Sequence, residues 1–229
     1  MSFFAIGVLI ACRLVQGLAG GFVVAVTLVP KGMRSLRARP THDGLSPSIY
    51  LAIDEDGTVH AYIHRVEMGQ GTRTGLTQIL ADELEADWDR IHVVPTYGDV
   101  RFGSQNTDGS TSIRNFYDAF RQAGASARRM LEEAAATEWD VDRSQVEARN
   151  HEVHNAATGE ALDYRELVEA AASMDVPDPE SLTLKTREEH RYIGHPIPNL
   201  YGEQFATGSS VFAQDVRREG MVYAVAARP

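Results

Sequence analysis

The sequence VEMGQGTRTGLTQILADELEAD, from Val66 to Asp87, joins a glycine-rich loop to an amphipathic helix. Gly69 and Gly71 flank Gln70, and the helical pattern begins beside Thr72 and Thr74, either of which could cap the helix. Apolar residues at helical spacing predict a buried stripe, and the acidic residues near the end of the helix are expected to face water. The stripe is Leu76, Ile79, Leu80 and Leu84, and the acidic residues are Asp82, Glu83 and Glu85.

A second loop of the same kind spans Asp108–Ser112 and contains Gly109, Ser110 and Thr111. It precedes a long helix predicted from about Arg114 to Thr137, in which alanines and a glycine indicate close packing against another element. Free N–H groups at a helix N-terminus bind anionic oxygens, and serine and threonine hydroxyls can donate to them. Two such loops could hold an extended phosphorylated cofactor, although turn and capping chemistry explains the same residues without a ligand. Neither loop has P-loop spacing.

Strand patterns are followed by helix patterns, so the predicted class is α+β, with mixed hairpins and helices. A hairpin is predicted from Ile49 to Ile63 around Asp56-Gly57, and another around Thr158-Gly159. Asp163 and Glu166 are spaced as a capping box, and two short strand patterns flank Glu219-Gly220. The predicted organisation is an apolar segment at 1–30, a turn-rich linker at 31–48, a cofactor-binding region at 49–180 and the start of another domain at 181–229.

Composition excludes several kinds of site. The net charge of -10 and the pI near 5.2 disfavour a nucleic-acid groove, which requires a basic surface. Cys12 is the single cysteine, so this chain alone cannot form an internal disulfide, a cysteine-rich zinc site or an iron–sulfur cluster. His60 and His64 are expected on one face of a strand, but no acidic partner is placed by spacing. We therefore predict no metal ligands and interpret the histidines as satisfied or exposed.

The segment from Phe3 to Val29 is almost wholly apolar, interrupted by Arg13 and Gln16, and basic residues follow it. About twenty apolar residues can span a bilayer, so a membrane anchor is one interpretation. An export signal is another, because the segment around Arg13 is similar to the core of a twin-arginine signal with its first arginine lost. A buried core helix is the third. The first two predict a membrane-associated or exported protein, and the third is compatible with the cytoplasm.

Two long stretches carry a family resemblance: EMGQGTRTGLTQILADELEADWDRIHV from Glu67, and QNTDGSTSIRNFYDAFRQAGASARRMLEEAAA from Gln105. They resemble the cofactor loops of the molybdenum-binding subunits of the xanthine dehydrogenase and aldehyde oxidase superfamily. The subgroup that they resemble most is the isoquinoline 1-oxidoreductase beta subunit-like aldehyde dehydrogenases. RYIGHPIPNL from Arg191 and DVRREGMVYAVAARP from Asp215 also resemble that subgroup, where they lead into a hammerhead-like domain. The resemblance covers about Ile49 to Pro229.

The resemblance implies molybdenum held by molybdopterin, often in its cytosine dinucleotide form, without a ligating side chain. Gly69, Gln70 and Gly71 would approach the cofactor near its metal end, whereas Gly109, Ser110, Thr111 and Ser112 would bond its phosphates or pterin. The implied reaction is hydroxylation of an aldehyde or N-heterocycle with oxygen from water. Electrons would leave through a [2Fe-2S] ferredoxin-like subunit, and membrane attachment also suits the subgroup.

The chain departs from the family pattern at Asp108, where a small residue is usual, and at Asn199, Tyr201 and Phe205, which replace charged residues. The family subunit continues past the position of Pro229, and its catalytic glutamate lies in that further part. We therefore assign no catalytic residue here, interpret Glu67 as structural, and expect a truncated or split subunit that is inactive alone and needs the remainder of the molybdenum subunit. The alternative is a non-catalytic remnant or scaffold that binds a partner subunit without cofactor.

Overall fold

A four-stranded sheet forms the base of the fold. The computed structural model describes residues 44–96 and 98–225, so the apolar Phe3–Val29 segment lies outside the described residues. The strands, in spatial order, are β1 (Leu45–Ser48), β2 (Leu51–Ile53), β3 (Val59–Ile63) and β4 (Ile91–Pro95). β2 and β3 form the hairpin predicted around Asp56-Gly57, with Gly57 at φ 86°. Residues 31–48 were predicted to be a linker, but the last four of them form β1, in which Leu45 is buried and pairs with Ile53.

The first helix, α1 (Thr72–Leu84), connects β3 to β4, which run parallel. Parallel neighbours need such a crossover, so the loop that opens α1 must lie at the end of β3. The second helix, α2 (Ser112–Glu138), packs directly against α1. A Cβ added to Gly124 would lie 2.6 Å from the Leu80 carbonyl oxygen. The predicted close packing at Gly124 is therefore confirmed, and it brings the N-terminal ends of both helices to one side.

A smaller sheet contains β5 (Val146–Arg149), β6 (Glu152–Asn155) and β7 (Ala161–Asp163). The sequence predicted one hairpin here, but the structure contains two in succession. The additional turn uses Asn150 and His151, both at positive φ, a conformation that sequence periodicity does not reveal. Helix α3 (Tyr164–Ala172) follows, and the predicted capping box of Asp163 and Glu166 is confirmed.

Residues 181–193, which we call the strap, cover the end of α1. The prediction that the acidic residues of this helix face water is therefore wrong. Asp82, Glu83 and Glu85 are buried, although the helical pattern placed them in water. Asp82 accepts the backbone N–H of Ile193 at 2.8 Å, and Glu83 accepts the guanidinium of Arg121 at 2.6 Å. These carboxylates are buried because the strap supplies N–H and cationic partners from about one hundred residues farther along the chain.

The described C-terminal part contains one short helix, α4 (Gly202–Thr207). The strand patterns expected around Glu219-Gly220 form no strand up to residue 225, the last one described. Val222 and Val225 are 86% and 95% exposed, and neither belongs to a described sheet. Together, the two sheets and the packed helices confirm the α+β class.

Short 3-10 turns lie between the helices and strands of the described residues. They are Trp88–Arg90, Val100–Phe102, Arg143–Gln145, Pro179–Ser181 and Arg187–Glu189. Phe102, in the second of these turns, is buried and lies beside the rings of Tyr50 and His64.

Candidate cofactor site

The first glycine loop, Glu67–Gly71, is organised by the carboxylate of Glu67. One carboxylate oxygen accepts the backbone N–H groups of Gly69 at 2.8 Å and Gly71 at 2.9 Å, and the other accepts that of Arg73 at 3.1 Å. The N-terminus of α1 is therefore capped by Glu67. The prediction that Thr72 or Thr74 caps the helix was wrong, because the N-cap position is occupied by Gly71, which has no side chain. The structural interpretation of Glu67 agrees with these contacts.

The side chain of Gln70 closes the same loop. Its Oε1 accepts the N–H of Met68 at 2.6 Å, and its Nε2 donates to the carbonyl of Val66 at 2.8 Å. Gly69 has a φ of 96°, which disfavours any residue with a Cβ, and an added Cβ there would meet open space. The exposed edge of the loop is therefore formed by the backbone around Gly69 and the amide of Gln70.

The second glycine loop, Asp108–Ser112, is a tight turn that opens α2. Gly109 and Ser110 both have positive φ, at 56° and 54°. The carbonyl of Asp108 accepts both the backbone N–H of Thr111 at 3.2 Å and its hydroxyl at 2.8 Å. Thr111 is the N-cap residue of α2 but makes no side-chain cap, and the first turn of α2 contains no acidic residue. Unlike α1, this helix leaves its N-terminal N–H groups without a carboxylate.

The structure brings the two loops together. The N–H of Val66, next to the first loop, donates to the hydroxyl of Thr107, next to the second, at 3.0 Å. A Cβ added to Gly75 on α1 would lie 3.0 Å from the tip of Ile113 on α2, so the first turns of the helices also touch. All seven residues predicted to bind the cofactor therefore lie in two adjoining loops. Their contact with a cofactor stays a prediction.

Two residues that the sequence analysis did not select, His64 and Arg65, lie directly behind these loops. The Arg65 side chain is 4% exposed, its guanidinium lies 4.4 Å from the centre of the Phe116 ring, and its buried Nε has no hydrogen-bond partner among the described residues. Burial lowers the pKa of Arg65, and charge interactions with Tyr50 and then with the carboxylate of Asp108 oppose that effect. The only sequence signal is a pair of polar residues that ends an apolar strand just before Glu67.

The His64 ring is enclosed by aromatic side chains, with the Phe116 ring centre at 4.3 Å and the Phe102 ring stacked at 5.8 Å. Neither ring nitrogen has a hydrogen-bond partner among the described residues, so the prediction that the histidines are satisfied or exposed is wrong for the buried His64. Burial, followed by the charge of Arg65, lowers the pKa of His64 to about 4. His64 is therefore neutral at pH 7 and leaves Arg65 as the charged group at this position.

The remaining histidines of the described segments do not assemble with acidic residues into a set of metal ligands. His60 bonds Asp54 at 2.7 Å and contacts the ring of His92. Over the described residues, no group of three or more histidine, cysteine, aspartate or glutamate side chains could hold a metal ion. In the same part of the chain, no helix is long and apolar enough to cross a membrane.

The sequence from residue 17 to residue 214 matches the family model of the molybdopterin cofactor-binding domain. The chain belongs to this family. It is 30% identical over 227 residues to the isoquinoline 1-oxidoreductase subunit beta of Brevundimonas diminuta, a match that covers 81% of this chain and 29% of the relative. It is 31% identical over 191 residues to the membrane-bound aldehyde dehydrogenase [pyrroloquinoline-quinone] of Gluconacetobacter polyoxogenes, covering 82% of this chain and 24% of that protein.

These coverages mean that the chain spans less than a third of the length of the relatives it matches. Among solved structures, quinoline 2-oxidoreductase from Pseudomonas putida 86 is 20% identical, with a TM-score of 0.43, over 52% of this chain and 15% of that one. The predicted resemblance to the molybdenum-binding subunits is thus confirmed at the level of the family.

The residues around the two loops fit a phosphorylated pterin. Arg65 is a buried cation without a hydrogen-bonded partner in the described structure, and the uncapped N-terminus of α2 adds a second positive field beside it. A cleft of about 600 Å³ lies elsewhere, between α2, β5 and the strap. Within this cleft, Arg128 donates to the strap carbonyl of Thr183, and Arg143 pairs with Glu132 of α2, so two of its cations already have protein partners.

Proposed function

We propose that this chain supplies the cofactor-binding loops of a molybdenum hydroxylase that oxidises aldehydes or N-heterocycles with water as the oxygen source. The observation that carries the proposal is the junction of the two glycine loops through Val66 and Thr107, beside the buried cation of Arg65. Family membership supplies molybdopterin as the cofactor class, and we propose the cytosine dinucleotide form. The names of the relatives support the two substrate classes.

When bound, the cofactor would supply molybdenum for oxygen transfer and a route for the electrons. The chain's own contribution is positioning. The first glycine loop, closed by Glu67 and Gln70, would present neutral groups, namely the Gly69 backbone and the Gln70 amide. The second would present the N–H groups and hydroxyls of Gly109, Ser110 and Thr111 at the start of α2. Rigid loops of this kind hold a reacting centre without contributing a proton donor or acceptor.

The partners that we propose are the remainder of a molybdenum subunit and a [2Fe-2S] ferredoxin-like subunit. No catalytic acid or base is assigned among the described residues, because the carboxylates in the loops are accounted for: Glu67 caps α1, and Asp108 acts electrostatically on Arg65. We therefore expect that the purified chain alone does not oxidise aldehydes or N-heterocycles. Turnover by the isolated chain would contradict this part of the proposal.

The experiment is co-expression of the full chain with its neighbouring subunit genes in cells that make molybdopterin. Molybdenum is measured by elemental analysis, released pterin by fluorescence, and activity with an aldehyde and an N-heterocycle. The proposal expects one molybdenum and one pterin for each chain in the purified complex. A stable complex that lacks both would favour the alternative, a scaffold that binds a partner subunit without cofactor.

We also propose an exported or membrane-attached location, on the basis of the apolar Phe3–Val29 segment and its basic flank. Cell fractionation, combined with sequencing of the N-terminus of the mature protein, tests this. Recovery in the membrane with the segment retained supports an anchor, and recovery of a shortened chain outside the cytoplasm supports an export signal. A full-length chain in the cytoplasm would overturn the proposal.

A further inference from the structure

The two helix N-termini at the site differ in a way that the glycine pattern does not reveal. At α1, the carboxylate of Glu67 accepts the N–H groups of Gly71 and Arg73, so an anion is already built into the chain. At α2, Thr111 makes no side-chain cap and the first turn has no acidic residue. An anionic ligand would meet a negative charge at α1 and a positive dipole at α2. The open anion position is therefore at α2.

A separate observation points to the same place. The Arg65 side chain is 96% buried and lies over Phe116, in the second turn of α2. No hydrogen bond joins its guanidinium to any described residue, and its Nε is fully buried without a partner. A cation is costly to bury unless it is paired and hydrogen-bonded. Asp108 acts on it electrostatically but lies beyond ion-pair distance, so the charge of Arg65 is only partly balanced.

We propose that Arg65 and the N-terminus of α2 form an anion site that binds a phosphate group of the cofactor. The ligand class is a phosphoester or a pyrophosphate, whose oxygens accept the fork of guanidinium donors together with the N–H groups of α2. The first glycine loop, in contrast, already contains the carboxylate of Glu67, so the phosphate end of the ligand lies on the side of the second glycine loop. This inference rests on the proposed function and adds Arg65 as a residue that binds a phosphate group of the cofactor.

Asp108 is the counter-charge in this arrangement. It stands at the start of the second glycine loop, is exposed, and stabilises the charged form of Arg65. In the absence of ligand it offsets part of the buried positive charge, and a bound phosphate would replace it as the partner. Removal of Asp108 should therefore strengthen anion binding, whereas removal of Arg65 should weaken it. Opposite effects of neighbouring charges are the signature of an anion site.

The first experiment uses the purified full chain and inorganic pyrophosphate as the probe, in calorimetric titrations. Arg65→Met should bind pyrophosphate at least tenfold more weakly than wild type, Arg65→Lys should lie between them, and Asp108→Asn should bind it at least as tightly. Glu188→Gln, an exposed change on a 3-10 turn, is the control and should leave the affinity unchanged. Equal affinity of Arg65→Met and wild type, or no binding by wild type, would overturn the anion site.

Urea unfolding of Arg65→Met separates a binding role from a structural one. A methionine keeps the apolar stem over Phe116 and removes an unpaired buried charge, so the variant should be at least as stable as wild type. A variant that loses stability but keeps its affinity for pyrophosphate would overturn the proposal.

The second experiment measures pterin in the co-expressed complex. Arg65→Met should retain at most a fifth of the wild-type pterin for each chain. Pyrophosphate binding through Arg65 in a wild type that contains no pterin would sustain the anion site and reject the proposed function. Wild-type pterin content in Arg65→Met would sustain the proposed function and reject the anion site, because the loops would then hold the cofactor without Arg65.

Discussion

The carboxylate of Glu67 accepts the N–H of Gly71 at 2.9 Å, where the first glycine loop becomes helix α1. Its bonds to Gly69 and Arg73 make it the cap that the neighbouring threonines do not supply. Loss of an N-cap costs about 0.5–2 kcal/mol. We expect Glu67→Ala to lower the free energy of unfolding by about that amount in urea titrations, and Glu67→Gln by less, because an amide oxygen still accepts. A Glu67→Ala variant as stable as wild type would refute the capping role.

The buried carboxylate of Glu83 should be far more important for stability than its place on a helix suggests. Its carboxylate is fully buried and accepts hydrogen bonds from the guanidinium of Arg121 and the backbone N–H of Lys185, so Glu83→Gln would leave the partly buried Arg121, with a side chain 14% exposed, without its counter-charge. Breaking a buried pair in this way costs about 3–5 kcal/mol. Glu133→Gln is the matched control, since Glu133 is exposed and pairs with Arg129 one helical turn away. The control should change the free energy of unfolding by about 0.5 kcal/mol or less. If both variants lose the same free energy of unfolding, the buried contacts of Glu83 are not important for stability.

Stability should fall as the pH is lowered from 6.5 to 4. Burial lowers the pKa of both His64 and His151 to about 4. His151 accepts the N–H of Asp87 on Nδ1, so its Nε2 donates to the carbonyl of Gly57 and the ring is neutral. In the unfolded chain these histidines bind protons near pH 6.5, whereas in the folded chain they do so only near pH 4. The stabilisation that they provide above pH 6.5 is therefore lost as the pH falls from 6.5 to 4. The loss is on the order of 3 kcal/mol for each histidine.

Urea titrations between pH 7.5 and pH 4.5 measure that dependence. His64→Phe should flatten it, because one of the two depressed groups is removed. His154→Gln should not, because His154 is a partly exposed histidine on β6. The same slope in His64→Phe and wild type would show that His64 does not contribute.

Gly124 and Gly75 should respond oppositely to alanine. At Gly124 the new Cβ would lie 2.6 Å from the Leu80 carbonyl oxygen, so the α1–α2 contact would have to open, at a cost of about 1–3 kcal/mol. At Gly75 it would meet only the tip of Ile113, which can move, and alanine is the better helix former. Thermal unfolding should show a lower midpoint for Gly124→Ala and an unchanged or higher one for Gly75→Ala. Similar midpoints for the two variants would contradict the close helix contact.

The sequence predicted the parts of the fold that depend on neighbouring residues. The β2–β3 hairpin, both long helices, the Asp163 capping box and the two glycine loops all follow from local patterns. It misplaced Asp82, Glu83 and Glu85 because the strap that buries them comes from a distant part of the chain. Arg65 was missed for the same reason, since an arginine after a strand is ordinarily exposed and only the packing of Phe116 reveals its burial.

The measurement that tests the central claim most directly is the pterin and molybdenum content of the co-expressed complex in loop variants. Gln70→Ala removes the bonds to Met68 and Val66 that close the first glycine loop, and Thr107→Val removes the bond that joins the two loops. Gln204→Ala, an exposed change on α4, is the control. We expect the wild type and the control to contain equal amounts of pterin and molybdenum, and the double loop variant to contain less than half as much. A double variant loaded as fully as the wild type would contradict the claim that these two loops hold the cofactor.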